Sequence, residues 1–158
     1  MESTGNDAGA RRLDSTAEWI GYLGVAPLVL CLAGVGLAPG YAAHELAQRG
    51  AIAWGAALLT FAGAVHFGLA LAGRLPWDAA RIGAALGPAL VGAAAVLTGG
   101  QRGLALLVAG CGIFWLYEHR RLGRELPQAY LGLRRQLTLA TCVLLALIMF
   151  LSDAAGLG

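Results

Sequence analysis

The residue best suited to chemistry is His66, which apart from the thiols is the only ionisable residue well inside an apolar run of this 158-residue chain. An imidazole changes its protonation near neutral pH, so it can accept or donate a proton. An ionisable group at membrane depth is costly and is a functional candidate by default. A neutral imidazole that is hydrogen-bonded to a neighbouring helix is the other interpretation, and the sequence leaves both open.

Further polar and aromatic residues fall at the ends of apolar runs, on the side of the membrane nearest His66. Tyr22 lies near the start of the first run, Tyr117 and Glu118 end the fourth, and Arg134 begins the fifth. We therefore predict a candidate intramembrane polar site that comprises His66, Tyr22, Tyr117, Glu118 and Arg134. Tyr and Arg are also common anchors at membrane interfaces, and this alternative explains the same placement.

No set of residues at catalytic or metal-ligand spacing accompanies this cluster in the sequence. Cys31, Cys111 and Cys142 each stand alone in an apolar run, where a thiol packs as a small hydrophobe. His44 and Glu45 are adjacent but have no third ligand, so we predict a solvated loop there. Phosphate-binding, nucleophile-elbow and zinc-protease motifs are missing. The sequence thus predicts no metal, no cofactor and no catalytic residue.

The elements that must position the candidate residues are five apolar runs. The chain is 58% hydrophobic and 13% charged, whereas soluble domains carry about 25% charged residues. Backbone groups in lipid must bond to one another, which favours helices of about 20 residues. We predict an all-α integral membrane bundle with helices at 19–38, 52–72, 79–99, 103–118 and 135–152, a flexible polar tail at 1–18 and a short tail at 153–158.

The distribution of arginine predicts the orientation of this bundle. All eleven basic residues are Arg, and nine of them lie in the N-terminal tail, the 73–81 loop and the 118–136 loop. The loop at 39–50, the hairpin at 99–103 and the C-terminus share the other two. Positive charge is retained on the cytoplasmic side. The N-terminus is therefore predicted to be cytoplasmic and the C-terminus outside. The Arg- and Gly-rich composition favours a bacterial inner membrane.

Small residues and prolines predict how the helices pack. Helices in lipid associate by close packing, and small residues four apart let two backbones approach. Gly83 and Gly87 form such a pair, and Gly63 and Gly68 give the second helix a smooth face. Pro27 and Pro88 interrupt the first and third helices, where each frees a carbonyl four residues earlier and can kink the helix.

Four segments resemble a known family. The first helix reads G-Y-L-G-V-A-P at 21–27, the second reads T-F-A-G-A-V-H-F-G at 60–68, the third contains Pro88, and P-Q-A-Y-L-G-L-R-R-Q-L-T follows at 127–138. In order and type these segments resemble the membrane proteins grouped as domain of unknown function 3429, which include the transmembrane protein 69 type.

The chain departs from the family pattern at three positions. Phe67 replaces the usual Trp, Ala64 replaces a Gly, and Ala129 replaces an aromatic residue. The resemblance covers 19–140. It implies a small multi-helix membrane protein and implies no established activity.

Three functions fit these observations. Minimal loops and the lack of a catalytic set favour a non-enzymatic accessory or assembly partner of a larger membrane complex. The alternative is a protein that handles a small molecule, a proton or a lipid at a site around His66. A membrane enzyme that uses His66 ranks third. The expected partners are the lipid bilayer and either a membrane protein or a second copy of the chain, with no nucleic acid.

Overall fold

The computed structural model describes residues 15–73, 78–122, 128–154 and 156. These residues form five α-helices: α1 (Ser15–Leu37), α2 (Tyr41–Leu71), α3 (Ala79–Thr98), α4 (Gly100–Leu122) and α5 (Gln128–Ala154). The predicted all-α class with five helices is confirmed. Most of the predicted N-terminal tail and parts of two predicted loops lie outside the described residues.

The helices extend beyond the apolar runs that predicted them. α2 begins at Tyr41 rather than at residue 52, and α5 begins at Gln128 rather than at 135. The prediction of a solvated loop around His44 and Glu45 is wrong, because both residues lie in α2. A ring nitrogen of His44 bonds the Ala38 carbonyl at 2.6 Å, and Glu45 pairs with Arg49 one turn later at 2.7 Å. Hydropathy marks the lipid-facing length, whereas a helix continues wherever polar side chains can pair along it.

Four of the described helices, α1, α2, α3 and α5, are long and apolar enough to cross a membrane. α4 falls short of that hydropathy. Its 23 residues have adequate length, but Gln101 and Arg102 at its start and the run from Glu118 to Arg121 at its end dilute the apolar segment. What the fold supports directly is a membrane protein with four candidate spans.

α2 lies at the centre of the arrangement. It packs against α1, α3, α4 and α5, while α3 also packs on α4, α4 on α5, and α5 returns to α1. Gly99 alone separates α3 from α4. Its φ of +61° and the φ of +51° at Gly100 lie in the left-handed region that favours glycine. This turn is tight enough to fold α4 straight back along α3.

One face of α4 forms the centre of the core. Buried side chains recur at spacings of three and four residues, which puts them on one face of a helix; they are Leu104, Leu107, Cys111, Phe114 and Glu118. Leu145 and Ile148 of α5 and Leu59 of α2 belong to the same buried cluster. The last residue of this buried face is Glu118, so an otherwise apolar face of α4 ends in an acidic side chain.

The backbones of α2 and α3 approach most closely at Gly63. A Cβ atom built there would lie 2.6 Å from the Ala85 carbonyl oxygen and 3.1 Å from Cγ of Pro88. Since Pro88 has no amide hydrogen, it leaves the Ala84 carbonyl without its helical donor. Gly63 therefore packs against α3 where α3 is interrupted. Since Gly63 lies about one turn before His66, this contact determines where His66 lies along α3.

The other predicted packing glycines do not take part in this contact. A Cβ atom at Gly68, Gly83 or Gly87 would meet no atom of the described residues within 4 Å. The prediction that Gly83 and Gly87 pack within the bundle is therefore wrong, because they face outward on α3. Glycine spacing defines a smooth strip but does not say which side of the helix meets a neighbour.

A side chain of α2 bonds the backbone of α1 next to the interruption at Pro27. The Trp54 indole of α2 donates a hydrogen bond of 2.8 Å to the Gly24 carbonyl, next to the Leu23 carbonyl that Pro27 leaves without its helical donor. A polar group of α2 thus bonds the α1 backbone beside its interruption, where lipid could not.

We expect Gly63→Ala to destabilise the bundle by about 1–3 kcal/mol, the usual effect of inserting a methyl group into a packed contact. This loss should occur although Ala is the better helix former. Unfolding by SDS titration of detergent-solubilised protein, followed by circular dichroism, measures it. Gly83→Ala is the matched control and should be neutral or slightly stabilising. Equal effects of the two substitutions would contradict the close approach at Gly63.

Candidate functional site

Three helices bring ionisable side chains together at one end of the bundle. His66 comes from α2, Glu118 from α4 and Arg134 from α5. The exposed fractions of their side chains are 2%, 1% and 18%. We call these three residues the polar cluster. Each helix contributes its residue to the cluster from near one of its own ends.

The Glu118–Arg134 ion pair is the strongest contact in the polar cluster. Nε of Arg134 donates to Oε2 of Glu118 at 3.0 Å. A buried carboxylate without a counter-charge is very unfavourable, whereas a paired one is tolerated. The pair therefore fixes α4 against α5 and supplies the counter-charge that a carboxylate needs inside an apolar bundle. Arg81 of α3 adds a second positive charge to the surroundings of His66.

His66 lies between two hydrogen-bond acceptors. Its Nδ1 is 3.4 Å from the Ala62 carbonyl oxygen, and its Nε2 is 3.7 Å from Oε1 of Glu118. The second distance is too long for a hydrogen bond. A neutral imidazole offers one N–H, so it can serve only one of these acceptors, whereas a protonated ring can serve both.

Two atoms of the polar cluster consequently lack a hydrogen-bond partner. Nε2 of His66 and Oε1 of Glu118 are both buried and unpartnered within the described part of the chain. The two atoms face each other. A bridging water would join them, and so would a proton on Nε2 together with a small movement of the side chains. The arrangement is thus able to bind a proton between an imidazole and a carboxylate.

Aromatic rings form the wall beside the polar cluster. The Phe114 ring packs edge-on against His66 at 5.2 Å between centroids, and the Arg134 guanidinium lies 5.8 Å from the same ring centroid. Tyr117 stacks on Phe114 at 6.5 Å, and its hydroxyl donates to the Ala80 carbonyl at 3.4 Å. Phe114 therefore separates the polar cluster from the apolar core, and its ring attracts the Arg134 cation.

A cavity of about 170 Å³ lies between α1, α2, α4 and α5 and touches the polar cluster at Arg134. We call it the central cavity. Its walls are mostly apolar and include small residues; they are Ile20, Gly21, Gly24, Val25, Leu58, Leu59, Phe61, Ala62, Cys111, Phe114, Arg134, Leu137, Thr138 and Thr141. Its polar side chains all come from α5, where Arg134, Thr138 and Thr141 share one helical face. Ile20 and Phe61 are exposed, so α1 and α2 border its side toward lipid.

A second opening reaches the polar cluster from the end of the bundle. This end pocket of about 240 Å³ is lined by Trp115, Glu118, His119, Leu131, Gly132, Arg134 and Arg135. Arg134 borders both spaces. Its guanidinium therefore lies between an apolar chamber and a polar entrance, with the Glu118 carboxylate on the entrance side.

The structure brings together some of the residues predicted for the site and separates others. His66, Glu118 and Arg134 meet, and Tyr117 lies one ring away against Phe114. Tyr22 does not join them, because its exposed hydroxyl donates to Gln136 at 2.9 Å on the α1–α5 surface. Among the described residues no group of three His, Cys, Asp or Glu side chains could hold a metal ion.

Sequence reasoning missed Phe114, Thr138 and Thr141. The signal was present as spacing, because Thr138 and Thr141 follow Arg134 by four and seven residues and so share its face of α5. Phe114 precedes Glu118 by four residues on the buried face of α4. The prediction considered helix ends rather than helix faces.

Most of the chain matches a known family. The model described as "Protein of unknown function (DUF3429)" matches residues 13–150, so the chain belongs to this family, as its sequence motifs predicted. No curated protein and no solved structure matches the chain. The matched region includes every residue of the polar cluster and of the central cavity.

We expect Arg134→Met to destabilise the bundle by about 3–5 kcal/mol, because it leaves the Glu118 carboxylate buried without a partner. Adding Glu118→Gln should restore much of this loss, since the pair is then removed as a unit. SDS titration followed by circular dichroism measures both variants. Arg135→Met, which removes the same charge from an exposed neighbour, should change stability little. Additive losses in the double variant would contradict the pairing.

Proposed function

We propose that this DUF3429 protein is a multi-pass membrane protein that binds a small amphipathic molecule in the central cavity. The observation that carries the proposal is Arg134, which borders a mostly apolar chamber while its Nε–H donates to the buried Glu118 carboxylate. In the described part of the chain the hydrogen bond to Glu118 occupies only Nε. A guanidinium has five N–H donors, so its terminal nitrogens are available for a ligand.

The size and lining of the central cavity define the class of ligand. An apolar cavity of roughly 150 Å³ accommodates benzene, so about 170 Å³ accommodates one ring or a short stretch of acyl chain. Arg134 supplies donors, and the hydroxyls of Thr138 and Thr141 can donate or accept. The ligand therefore has an apolar ring or chain and a polar end that accepts hydrogen bonds, as in a quinone carbonyl or a lipid ester or phosphate.

His66 and Glu118 give the bound molecule a neighbouring proton site. When His66 is protonated, its charge pairs with Glu118, and the Arg134 charge is released toward the ligand. When His66 is neutral, Glu118 depends on Arg134 alone. Protonation should therefore strengthen binding of a hydrogen-bond-accepting head.

We further propose that all five helices cross the membrane, including α4. A helix of 23 residues spans about 34 Å at 1.5 Å per residue, enough for a hydrocarbon core of ~30 Å. α4 packs between α3 and α5, which both qualify as spans, and its polar residues gather at its two ends. The arginine bias supports an orientation in which the N-terminus and the polar cluster are on the cytoplasmic side of a bacterial inner membrane.

An accessory or assembly role is the second candidate function, and one observation favours it. Gly83 and Gly87 face outward beside a groove between α3 and α4. A pair of glycines four apart on an unoccupied helix face lets a transmembrane helix of another protein approach closely. The two functions are compatible, because this groove opens between α3 and α4, whereas the central cavity lies between α1, α2, α4 and α5.

We expect reporter fusions ending at residues 99, 122 and 158 to lie outside, inside and outside. Alkaline phosphatase should be active at 99 and 158 and inactive at 122, and green fluorescent protein should give the reverse pattern. Each crossing helix reverses the side of the chain. The same side for the fusions at 99 and 122 would show that α4 does not cross.

We expect native mass spectrometry after gentle detergent extraction to show a retained lipid-sized or quinone-sized mass. Gly24→Leu, which adds a side chain at the wall of the central cavity, should reduce the retained fraction at least tenfold. Gly68→Leu adds the same side chain at an exposed position and is the control. Equal retention by both variants would contradict binding in the central cavity, and a retained protein partner without a small molecule would favour the accessory role.

Retention should also rise as the pH falls, because protonation of His66 releases the Arg134 charge. Native mass spectra recorded over a series of decreasing pH values measure the dependence. His66→Ala should remove it while leaving a folded bundle. A pH dependence that persists in His66→Ala would assign it to another group.

A further inference from the structure

Two of the three free cysteines meet beside the central cavity. Cys111 is buried on α4, and Cys142 is half-buried on α5. The Cys142 thiol donates toward the Val108 carbonyl of α4 at 3.9 Å, and Cys142 packs against the buried cluster to which Cys111 belongs. Val108 and Cys111 are three residues apart and share one face of α4. The sulfur of Cys142 therefore lies against the face of α4 that carries Cys111.

This contact changes the interpretation of the cysteines. Isolated thiols in hydrocarbon are inert packing groups, as predicted for all three. Two thiols on facing sides of neighbouring helices can instead be joined by an S–S bond of about 2.05 Å when side-chain rotation brings the sulfurs together. Cys31 provides the contrast, because it lies on α1 against Gly50 of α2.

Cys111 also lines the central cavity. It lies on the same wall as Phe114, one turn from it, so a molecule seated against Phe114 and Arg134 is in reach of the dithiol. The central cavity thus borders one of the two thiols, that of Cys111. Thr141, next to Cys142 in sequence, lines the chamber as well.

We propose that Cys111 and Cys142 form a reversible dithiol–disulfide pair that reduces a quinone bound in the central cavity. This inference rests on the proposed function and specifies its ligand. A lipid cannot take up two electrons, whereas a quinone ring matches the cavity volume and presents a carbonyl to the donors of Arg134 and Thr138.

The reaction balances without another reactant. The S–H bonds of Cys111 and Cys142 break, and one S–S bond forms between them. Two electrons and two protons pass to the quinone, which becomes the quinol. A thiolate is the attacking species in sulfur chemistry, so Glu118, seven residues after Cys111 on the same face of α4, and His66, across from Glu118 on α2, give the departing protons a place to reside before they reach the quinone oxygens.

We expect duroquinone to reduce the number of maleimide-reactive thiols in the detergent-solubilised protein from three to one. Duroquinone is suitable because its four methyl groups block addition of a thiol to the ring. Thiols are counted by mass after denaturation in SDS, and peptide mapping should find the Cys111–Cys142 bond with Cys31 still labelled. Three reactive thiols after treatment would overturn the proposal.

Matched variants separate this pair from general oxidation. Cys31→Ala should still lose two thiols, whereas Cys111→Ala and Cys142→Ala should each keep both of their remaining thiols. Loss of thiols in either of the last two variants would overturn the pairing. A disulfide formed by diamide but not by duroquinone would overturn the assignment of a quinone as the oxidant.

The proposed function and this inference can fail separately. If native mass spectrometry finds a ligand that Gly24→Leu removes while duroquinone leaves all three thiols reactive, ligand binding stands and the redox pair is overturned. If duroquinone forms the disulfide equally in Gly24→Leu and in wild type, reduction does not take place in the central cavity, and the inference fails in that form.

Discussion

The negative charge of Glu118 inside an apolar bundle is the constraint on which the rest of the site depends. A carboxylate with 1% of its side chain exposed needs a counter-charge, and Arg134 supplies it from a different helix. That requirement fixes α4 against α5 at one level. It also fixes the polar wall of the central cavity, because Thr138 and Thr141 follow Arg134 along the same face of α5. The Glu118–Arg134 ion pair thus determines both the contact between α4 and α5 and the polar wall of the central cavity.

The second support of the site is steric rather than electrostatic. α2 can bring His66 to Glu118 only if α2 lies close to its neighbours, and Gly63 allows this by packing on the carbonyls of α3 beside Pro88. Any side chain at Gly63 would displace α2 just one turn from the imidazole. The interruption of α3 at Pro88, the absence of a side chain at Gly63 and the polar cluster are therefore neighbours in the structure.

The sequence predicted the fold class and part of the site, for identifiable reasons. Apolar runs report lipid-facing length, so they predicted five helices but missed the polar first turns of α2. Counting helix ends on one side of the membrane grouped His66 with Glu118 and Arg134, which do meet. The same count also included Tyr22, whose side chain lies on the α1–α5 surface. Residues at the same depth need not point in the same direction around their helix axes.

Rotation about the helix axis explains the remaining differences as well. The Gly83–Gly87 strip faces outward, while Gly63 faces α3, and spacing alone does not distinguish them. Cys111 and Cys142 are 31 positions apart, so only the packing of α4 on α5 reveals that they lie in the same part of the core. Positions that recur every three or four residues predict a face, but which faces meet is a property of the assembled bundle.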